Sequence, residues 1–504
     1  MPVAAPRKSL EPFLKDEIEY YKHQTDAIRR LINMKNFLLA DDMGLGKSLQ
    51  SLTVHCIDVK MSKAETCLIV CPVTLRDNWA EEIQKFTRIP FLLFGEEPHP
   101  TRKGETRKIT GQKRHQQLLD WMHHTHGPRF LIVNYEQLTS AIHKDAFKSF
   151  TFDTVIYDEA HYLKNPDSKR TKASLDIRKN RAMLLTGTPM LNQVNELWTL
   201  LHMIDPERFP KYWSFVNRYC VFGGYEGRQI VGTKNEKELV TVLGQVMIRR
   251  MKDQVLDRDK PTYTQLYVGL SPDQQRLYDS VADDLILPPG VQAGLAVPSG
   301  EEEIGNALTK FLRLKQICGT PYAIDPSYPD SSFKLDRAVD IVREFADRGE
   351  KIVVFTQFRG VLDAFVRRLV KAGTGPTFQL HGDVPQKERQ PLVAEWSKVN
   401  GAATMACMTQ VAGVGLNMVA ASTVLFIDKL FVPGLNKQAV DRVDRIGQTK
   451  PVQVFELIAR GTVEQRVEEI LKDKTKVNED IVEGSVGMGK LLTALKERMK
   501  HDLS

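Results

Sequence analysis

The chain has 504 residues, of which 42% are hydrophobic and 26% are charged, and its formal net charge is +7. These values are typical of a globular protein with more than one core, and the basic charge permits a polyanionic partner. No run of about 18 apolar residues occurs and the start lacks a secretory signal, so we expect neither a membrane span nor export. The 6 cysteines form no C-x-x-C pair. We therefore expect reduced thiols in an intracellular protein, in the cytoplasm or nucleoid if the source is prokaryotic or a phage.

A phosphate-binding loop is predicted between residues 40 and 48. An apolar run before it is typical of a buried strand, and the segment after it is typical of a helix whose N-terminus faces the anion. Two glycines permit a sharp turn, the lysine supplies a cation for the β- and γ-phosphates, and the serine hydroxyl can bind Mg²⁺. Asp41 stands where the full motif has its first glycine, and a Gly-Lys-Ser turn also occurs by chance, so the interpretation depends on the rest of the chain. The predicted nucleotide-binding residues here are Asp42, Met43, Gly44, Leu45, Gly46, Lys47 and Ser48.

Short β-branched runs alternate with helical segments in both halves of the chain. Such alternation predicts an α/β fold with two parallel-sheet lobes, joined here by a mostly helical connector. The predicted strands of the first half are 37–40, 66–71, 130–133, 154–157 and 182–185, and those of the second are 352–355, 377–380, 404–408, 423–427 and 452–457. The predicted domains are 1–250 for the first lobe, 251–332 for the connector with a mobile loop near 287–303, 333–475 for the second lobe and 476–504 for a helical tail.

A carboxylate pair, Asp158 and Glu159, follows the predicted strand 154–157. Ligands of open α/β sheets bind at the carboxyl ends of the strands. Asp158 can hold Mg²⁺ through water, and Glu159 can orient and deprotonate an attacking water. An isolated Asp-Glu pair is usually a solvated loop, but this one ends a buried strand in the same lobe as the phosphate loop, which favours a catalytic role.

In the order of its motifs, the chain resembles helicase superfamily two, and within it the Swi/Snf-like ATPases that translocate on double-stranded DNA. The resemblance covers about residues 15–475, and its most diagnostic run is 438–448, which ends in Arg-Ile-Gly-Gln. It implies two RecA-like lobes, a DEAH-box-type site that uses ATP and Mg²⁺, and hydrolysis at the interface of the lobes. The implied function is movement along duplex DNA, or remodelling of DNA or protein–DNA complexes.

The resemblance also implies roles for single residues. Gln24 matches the segment that reads adenine, and Gly415 and Gln438 match further nucleotide contacts. Arg442 and Arg445, whose spacing predicts one shared helix face, match the arginines that neutralise charge on the γ-phosphate. The residues implied to couple the nucleotide site to DNA or to contact DNA are Thr74, Trp79, His161, Thr186, Gly187, Thr188, Gln357, Thr409 and Gln410.

Some positions depart from the family pattern. Asp42 and Ser48 stand where Glu and Thr are commoner, Asp444 replaces a frequent His, and 410–411 replaces an Arg-Ala-like pair. No chromatin-reading module or zinc finger is visible, which disfavours a nucleosome remodeller. The leading hypothesis is a DNA translocase, and the alternative is a helicase or annealing enzyme that acts on forked or branched DNA in replication or repair. A DNA-binding scaffold with degenerate ATPase motifs and an RNA-directed ATPase are the remaining hypotheses.

Overall fold

The computed structural model describes residues 13–16, 18–98, 106–124, 127–190, 193–223, 229–255, 260–283, 301–412, 416–431 and 433–468. The chain divides into two compact units, Met1–Asp257 and Arg258–Ser504. Three predictions lie outside the described residues: most of the loop near 287–303, the tail 476–504, and Gly415. The predicted limits of the lobes and of the connector stay predictions.

The first unit is built on a seven-stranded sheet with the order β11-β1-β8-β7-β2-β6-β3. All neighbouring strands in it are parallel. Two short antiparallel hairpins, β4–β5 and β9–β10, accompany it. The strands are β1 Phe37–Leu39, β2 Thr66–Cys71, β3 Phe91–Leu93, β4 Glu96–Pro98, β5 Thr106–Lys108, β6 Arg129–Asn134, β7 Thr151–Asp158, β8 Arg178–Leu185, β9 Cys220–Gly223, β10 Gln229–Thr233 and β11 Met247–Ile248.

Helices cover both faces of this sheet. Strand β1, which has neighbours on both sides, is continuously apolar because Phe37 and Leu39 pack into one core and Leu38 packs into the core on the opposite face. A strand buried on both faces has no solvent side to carry polar residues. The helices are α1 Lys22–Leu31, α2 Lys47–Lys60, α3 Arg76–Phe86, α4 Gly111–His123, α5 Tyr135–Leu138, α6 Lys144–Ser149, α7 Lys169–Asp176, α8 Leu197–Ile204, α9 Tyr212–Tyr219, α10 Glu236–Val246 and α11 Lys252–Val255.

The second unit is built on a six-stranded parallel sheet with the order β12-β17-β16-β13-β15-β14. Its strands are β12 Thr262–Val268, β13 Ile352–Thr356, β14 Thr377–Leu380, β15 Thr404–Met408, β16 Thr423–Phe426 and β17 Gln453–Ala459. Its helices are α12 Pro272–Asp283, α13 Glu301–Gly319, α14 Phe333–Asp347, α15 Arg359–Ala372, α16 Gln386–Lys398, α17 Thr409–Ala412 and α18 Pro433–Val440.

The predicted α/β class with two parallel-sheet lobes is confirmed. The segment 251–332 differs from the prediction at β12, an edge strand of the second sheet whose residues are rich in Thr and Tyr and only partly buried. Because one side of an edge strand faces solvent, it lacks the apolar run that marks the central strands. Within the described residues, no helix has the length and apolarity needed to cross a membrane.

Candidate nucleotide-binding site

The predicted phosphate loop joins the end of β1 to the start of α2. Gly44 and Gly46 both have φ of 81°, in the left-handed region that glycine adopts without strain, and Gly46 is the residue that caps α2. A Cβ at Gly46 would also overlap the amide nitrogen of Gln24. The loop therefore requires glycine at this position for two reasons, its backbone conformation and its close approach to α1.

Lys47 points back into the loop that precedes it. Its Nζ donates to the backbone oxygens of Asp41 at 2.7 Å and Asp42 at 3.2 Å. Burial lowers the pKa of this ammonium, while four carboxylates, Glu159, Asp41, Asp158 and Asp42, act in the opposite direction. An ammonium held by neutral carbonyl oxygens can exchange them for phosphate oxygens, which bear more negative charge.

The carboxylate pair lies at the carboxyl end of β7. Asp158 Oδ2 accepts a hydrogen bond from Trp79 Nε1 at 2.8 Å, and its Oδ1 accepts from the backbone N–H of Glu159 at 2.9 Å. Burial, and then the neighbouring Glu159, raise the pKa of Asp158 to about 6, while Trp79 and Lys47 act to lower it. Glu159, the residue after β7, has φ of 48°, an uncommon value for a non-glycine residue that is often found at functional sites.

His161 links the carboxylate pair to the next motif. Its Nδ1 lies 3.1 Å from Glu159 Oε2 and 3.2 Å from Thr186 Oγ1. Thr186 Oγ1 in turn accepts from the backbone N–H of Thr188 at 3.1 Å. A Cβ at Gly187 would lie 3.0 Å from Met43 Cγ and 3.7 Å from Lys47 Nζ, so the 186–188 segment packs directly against the phosphate loop.

Gln24 is buried and anchors α1 to the phosphate loop. Its Nε2 donates to the backbone oxygen of Leu45 at 3.2 Å, and its Oε1 accepts from the backbone N–H of Tyr21 at 3.0 Å. His23 Nε2 lies 3.2 Å from the same Leu45 oxygen, and Gln50 Nε2 donates to it at 3.1 Å. These contacts place Gln24 beside the loop, and its predicted contact with adenine stays a prediction.

Trp79 lies inside the first unit rather than at its surface. Its side chain is only 2% exposed, and its indole N–H is engaged by Asp158. The ring at this position is a packing residue of the first unit, and its implied role in coupling or DNA contact stays a prediction. Thr74, in the short turn after β2, is half-buried.

Sequence reasoning missed the contribution of Arg250. Its Nε donates to Asp41 Oδ1 at 3.0 Å, its Nη2 donates to Gln50 Oε1 at 3.0 Å and also to Asp41 Oδ2, and its Nη1 donates to the backbone oxygen of His23. The Asp41 side chain is 0% exposed. A buried carboxylate in place of the expected glycine was the signal that such a partner exists, because an ionised group is rarely buried without one.

The late arginines correct one prediction. Helix α18 ends at Val440, and residues 441–445 form turns, so Arg442 and Arg445 do not share a helix face. The Arg442 carbonyl accepts a hydrogen bond from the Met418 N–H at 2.9 Å. Arg442 is 4% exposed, and Arg445 Nη1 donates to the Leu416 oxygen at 3.4 Å.

Gln357 and Thr409, two further predicted residues of the second unit, directly follow strands β13 and β15. The backbone N–H of Gln357, just after β13, donates to Asp428 Oδ1 at 2.9 Å. Thr409, after β15, is buried, whereas Gln410 is exposed. Gln438 is a buried residue of α18.

Two family models match the chain in sequence order. The SNF2-related domain model matches residues 23–323, and the helicase conserved C-terminal domain model matches residues 334–447. An ATP-dependent helicase of Mycoplasma genitalium, MG018, is 28% identical over 465 residues, which are 91% of this chain and 41% of that protein. The DNA repair and recombination protein RDH54 of Saccharomyces cerevisiae is 28% identical over 481 residues, 85% of this chain and 49% of that protein.

A solved SWI2/SNF2 ATPase core of Sulfolobus solfataricus in complex with double-stranded DNA is 26% identical, covers 96% of this chain and 97% of its own, and superposes with a TM-score of 0.41. The chain spans about half the length, or less, of the two relatives named above. The SNF2-related model alone matches more than half of this chain. The chain therefore belongs to the SNF2-related family.

Proposed function

We propose that this chain hydrolyses ATP and uses the reaction to move along double-stranded DNA, or to remodel DNA or protein–DNA complexes. The observation that carries the proposal is the grouping of Lys47, Asp158 and Glu159 at the carboxyl edge of one parallel sheet. This grouping provides a cation for the phosphates, a carboxylate for a metal ion and a second carboxylate for water.

In this proposal, each site residue of the first unit has a distinct role. Lys47 leaves the loop carbonyls and binds the β- and γ-phosphates. The Ser48 hydroxyl and the Asp158 carboxylate are hard oxygen donors that suit Mg²⁺, which when bound neutralises charge on the phosphates. Glu159 orients a water and accepts its proton as the water oxygen bonds to the γ-phosphorus and the bond to ADP breaks. His161, within reach of both Glu159 and Thr186, passes the state of this site to the 186–188 segment.

The second unit supplies the remaining charge in this proposal. Arg442 and Arg445 neutralise the γ-phosphate as the bond to ADP breaks, and Gly415 and Gln438 add nucleotide contacts. Hydrolysis then requires both units, because a preorganised cation near the transferring phosphoryl group accounts for much of the rate.

DNA is the proposed partner of the motor. Family membership and the net charge of +7 support this choice, and Gln410 is an exposed residue where the family has a DNA-facing motif. Thr74, Gln357 and Thr409 are proposed to relay nucleotide state to that surface. Contacts to the phosphate backbone predict weak sequence preference and a steep loss of binding with added salt.

The first test replaces Glu159 with Gln. We expect duplex DNA to stimulate ATP turnover by the unaltered protein, and Glu159→Gln to lower turnover by about 100-fold or more while ATP binding persists. Glu207→Gln, at an exposed position of the same unit, is the matched control and should turn over ATP normally. Full DNA-stimulated turnover by the Glu159 variant would count against the proposal.

The second candidate function is remodelling of forked or branched DNA. The similarity to a protein named for DNA repair and recombination favours it. Displacement of a triplex-forming strand measures translocation on a duplex, and displacement of a paired strand at a fork measures unwinding. Activity on the triplex without unwinding supports the translocase, and activity on the fork alone supports the second candidate.

A further inference from the structure

The phosphate loop is held from the side by a segment that lies far from it in sequence. Residues 248–252, which we term the exit segment, begin at the last residue of β11 and lie near the end of the first unit in sequence. Backbone bonds join the two: Ala40 N–H donates to the Ile248 oxygen at 2.7 Å, and Asp42 N–H donates to the Arg250 oxygen at 3.0 Å. The Lys252 N–H also donates to Asp42 Oδ2 at 3.2 Å.

The side chain of Arg250 makes this contact a charged one. Its guanidinium forms a two-pronged ion pair with Asp41, a group with no exposed surface. The same guanidinium also contacts Gln50 on α2 and the backbone of His23 on α1. One residue of the exit segment therefore joins the three elements that form the phosphate and base ends of the candidate nucleotide site.

Only arginine has the geometry for this position. A planar guanidinium can bind both carboxylate oxygens while its remaining N–H groups reach two further acceptors, whereas a lysine ammonium is a single point of charge. Without its partner, the buried Asp41 carboxylate would have to take up water or a proton, and either change alters the loop backbone on which Lys47 depends.

We infer that Arg250 is a positioning residue that fixes the phosphate loop in its nucleotide-binding shape and ties that shape to the exit segment. The inference rests on the proposed function, since it concerns the same nucleotide site. The backbone bonds and the ion pair together join the loop to the exit segment, so a variant that loosens one should also loosen the other.

The test measures nucleotide affinity directly in the full chain. Fluorescent ADP is titrated against the unaltered protein and against Arg250→Met, Arg250→Lys, Asp41→Asn, and Asp41→Asn combined with Arg250→Met, well below each unfolding temperature. We expect Arg250→Met to raise the Kd by about tenfold or more, since a loop that must be ordered on binding costs affinity. Arg250→Lys should also weaken binding because it keeps the charge but loses the fork.

The double variant separates positioning from simple stabilisation. With the Asp41 charge removed, loss of Arg250 leaves no unpaired carboxylate, so the double variant should bind ADP more tightly than Arg250→Met alone. Arg178→Met is the matched control, because Arg178 is exposed at the start of β8, at the opposite end of the sheet from the phosphate loop, and its Kd should be unchanged.

The outcomes are distinguishable. An Arg250→Met protein that unfolds at a lower temperature but binds ADP normally would overturn the inference and leave the proposed function intact. Strictly additive effects of the two substitutions would also overturn it. If Arg250→Met does not fold, Arg250→Lys and the double variant carry the same comparison. An unaltered protein that binds neither ADP nor ATP would overturn both the inference and the proposed function.

Discussion

His55 is a buried histidine in α2, the helix that begins at the phosphate loop. Its Nδ1 lies 3.1 Å from Thr154 Oγ1, its ring packs on Phe130 with centroids 5.1 Å apart, and the residue is 0% exposed. Burial lowers the pKa of His55 to about 3 from an ordinary value of 6.5. The folded protein therefore keeps this imidazole neutral at pH values where the unfolded chain protonates it.

The sign and size of the effect follow from these two values. Above pH 6.5, His55 is neutral in both the folded and the unfolded state and does not reduce the free energy of unfolding. As the pH falls from 6.5 towards 3, the unfolded state binds a proton that the folded state does not, so the free energy of unfolding decreases progressively. Between pH 7 and pH 5, this one group should reduce the free energy of unfolding by about 2 kcal/mol, at about 1.4 kcal/mol for each pH unit below the unfolded pKa. Such a loss is a large part of the stability of an ordinary domain.

The perturbation is His55→Asn, which keeps a polar atom near the Nδ1 position and removes the titration. The free energy of unfolding is measured by urea denaturation of the full chain at pH 7 and at pH 5, following the transition of the first unit. The variant loses the same packing energy at pH 7 and at pH 5. The difference in free energy of unfolding between the unaltered protein and the variant should nevertheless be smaller by about 2 kcal/mol at pH 5, because only the unaltered protein loses stability through this titration. His123→Asn, at an exposed position, is the control and should show a constant gap. An equally constant gap for His55→Asn would refute the reasoning.

Three further predictions concern other contacts. Trp79→Phe removes the indole donor 2.8 Å from Asp158, and we expect a higher half-saturating Mg²⁺ concentration in ATPase assays, with a matching loss of Mg²⁺-dependent thermal stabilisation, since a hydrogen bond to a charged group is worth about 1.5–3 kcal/mol. Lys334→Met leaves the buried Glu464 carboxylate without the ammonium that donates to both of its oxygens. It should destabilise the second unit by about 3–5 kcal/mol in denaturant titrations, and adding Glu464→Gln should restore most of the loss. Gly46→Ala forces a side chain into a left-handed backbone site, and it should abolish binding of fluorescent ADP while a substitution at the open Gly349 site has no such effect.

Most of the architecture could be predicted from the sequence because strands buried on both faces of a parallel sheet are continuous apolar runs. All ten predicted strands occur, among them Thr66–Cys71 and Thr404–Met408 at the predicted bounds. The strands that prediction missed are of a different kind. Phe91–Leu93 and Thr262–Val268 are edge strands, and Met247–Ile248 is too short to give a pattern. Thr262–Val268 mixes polar and apolar residues because only one side of an edge strand is paired, whereas Phe91–Leu93 is apolar but has only 3 residues, too few to give a pattern.

The candidate site was readable where its chemistry is local. The glycines of the phosphate loop and the Asp158–Glu159 pair are short motifs at strand ends, and the positive φ of both glycines agrees with the sharp turn expected of them. The helix face predicted for Arg442 and Arg445 was wrong because the helix ends at Val440, and the spacing of two arginines alone does not reveal where a helix ends.

Buried polar pairs explain most of what the sequence left open. Trp79 is separated from Asp158, and Asp41 from Arg250, by long stretches of chain, yet each pair meets at the same edge of one sheet. A sequence marks one member of such a pair, because a charge beside an apolar strand needs compensation, but it does not mark which distant residue supplies it. The residues that perform the proposed chemistry therefore lie in short motifs that the sequence reveals, whereas the residues that hold them in place, such as Trp79 and Arg250, are distant in sequence. Substitutions of these distant partners should alter nucleotide binding and coupling without changing the reacting groups.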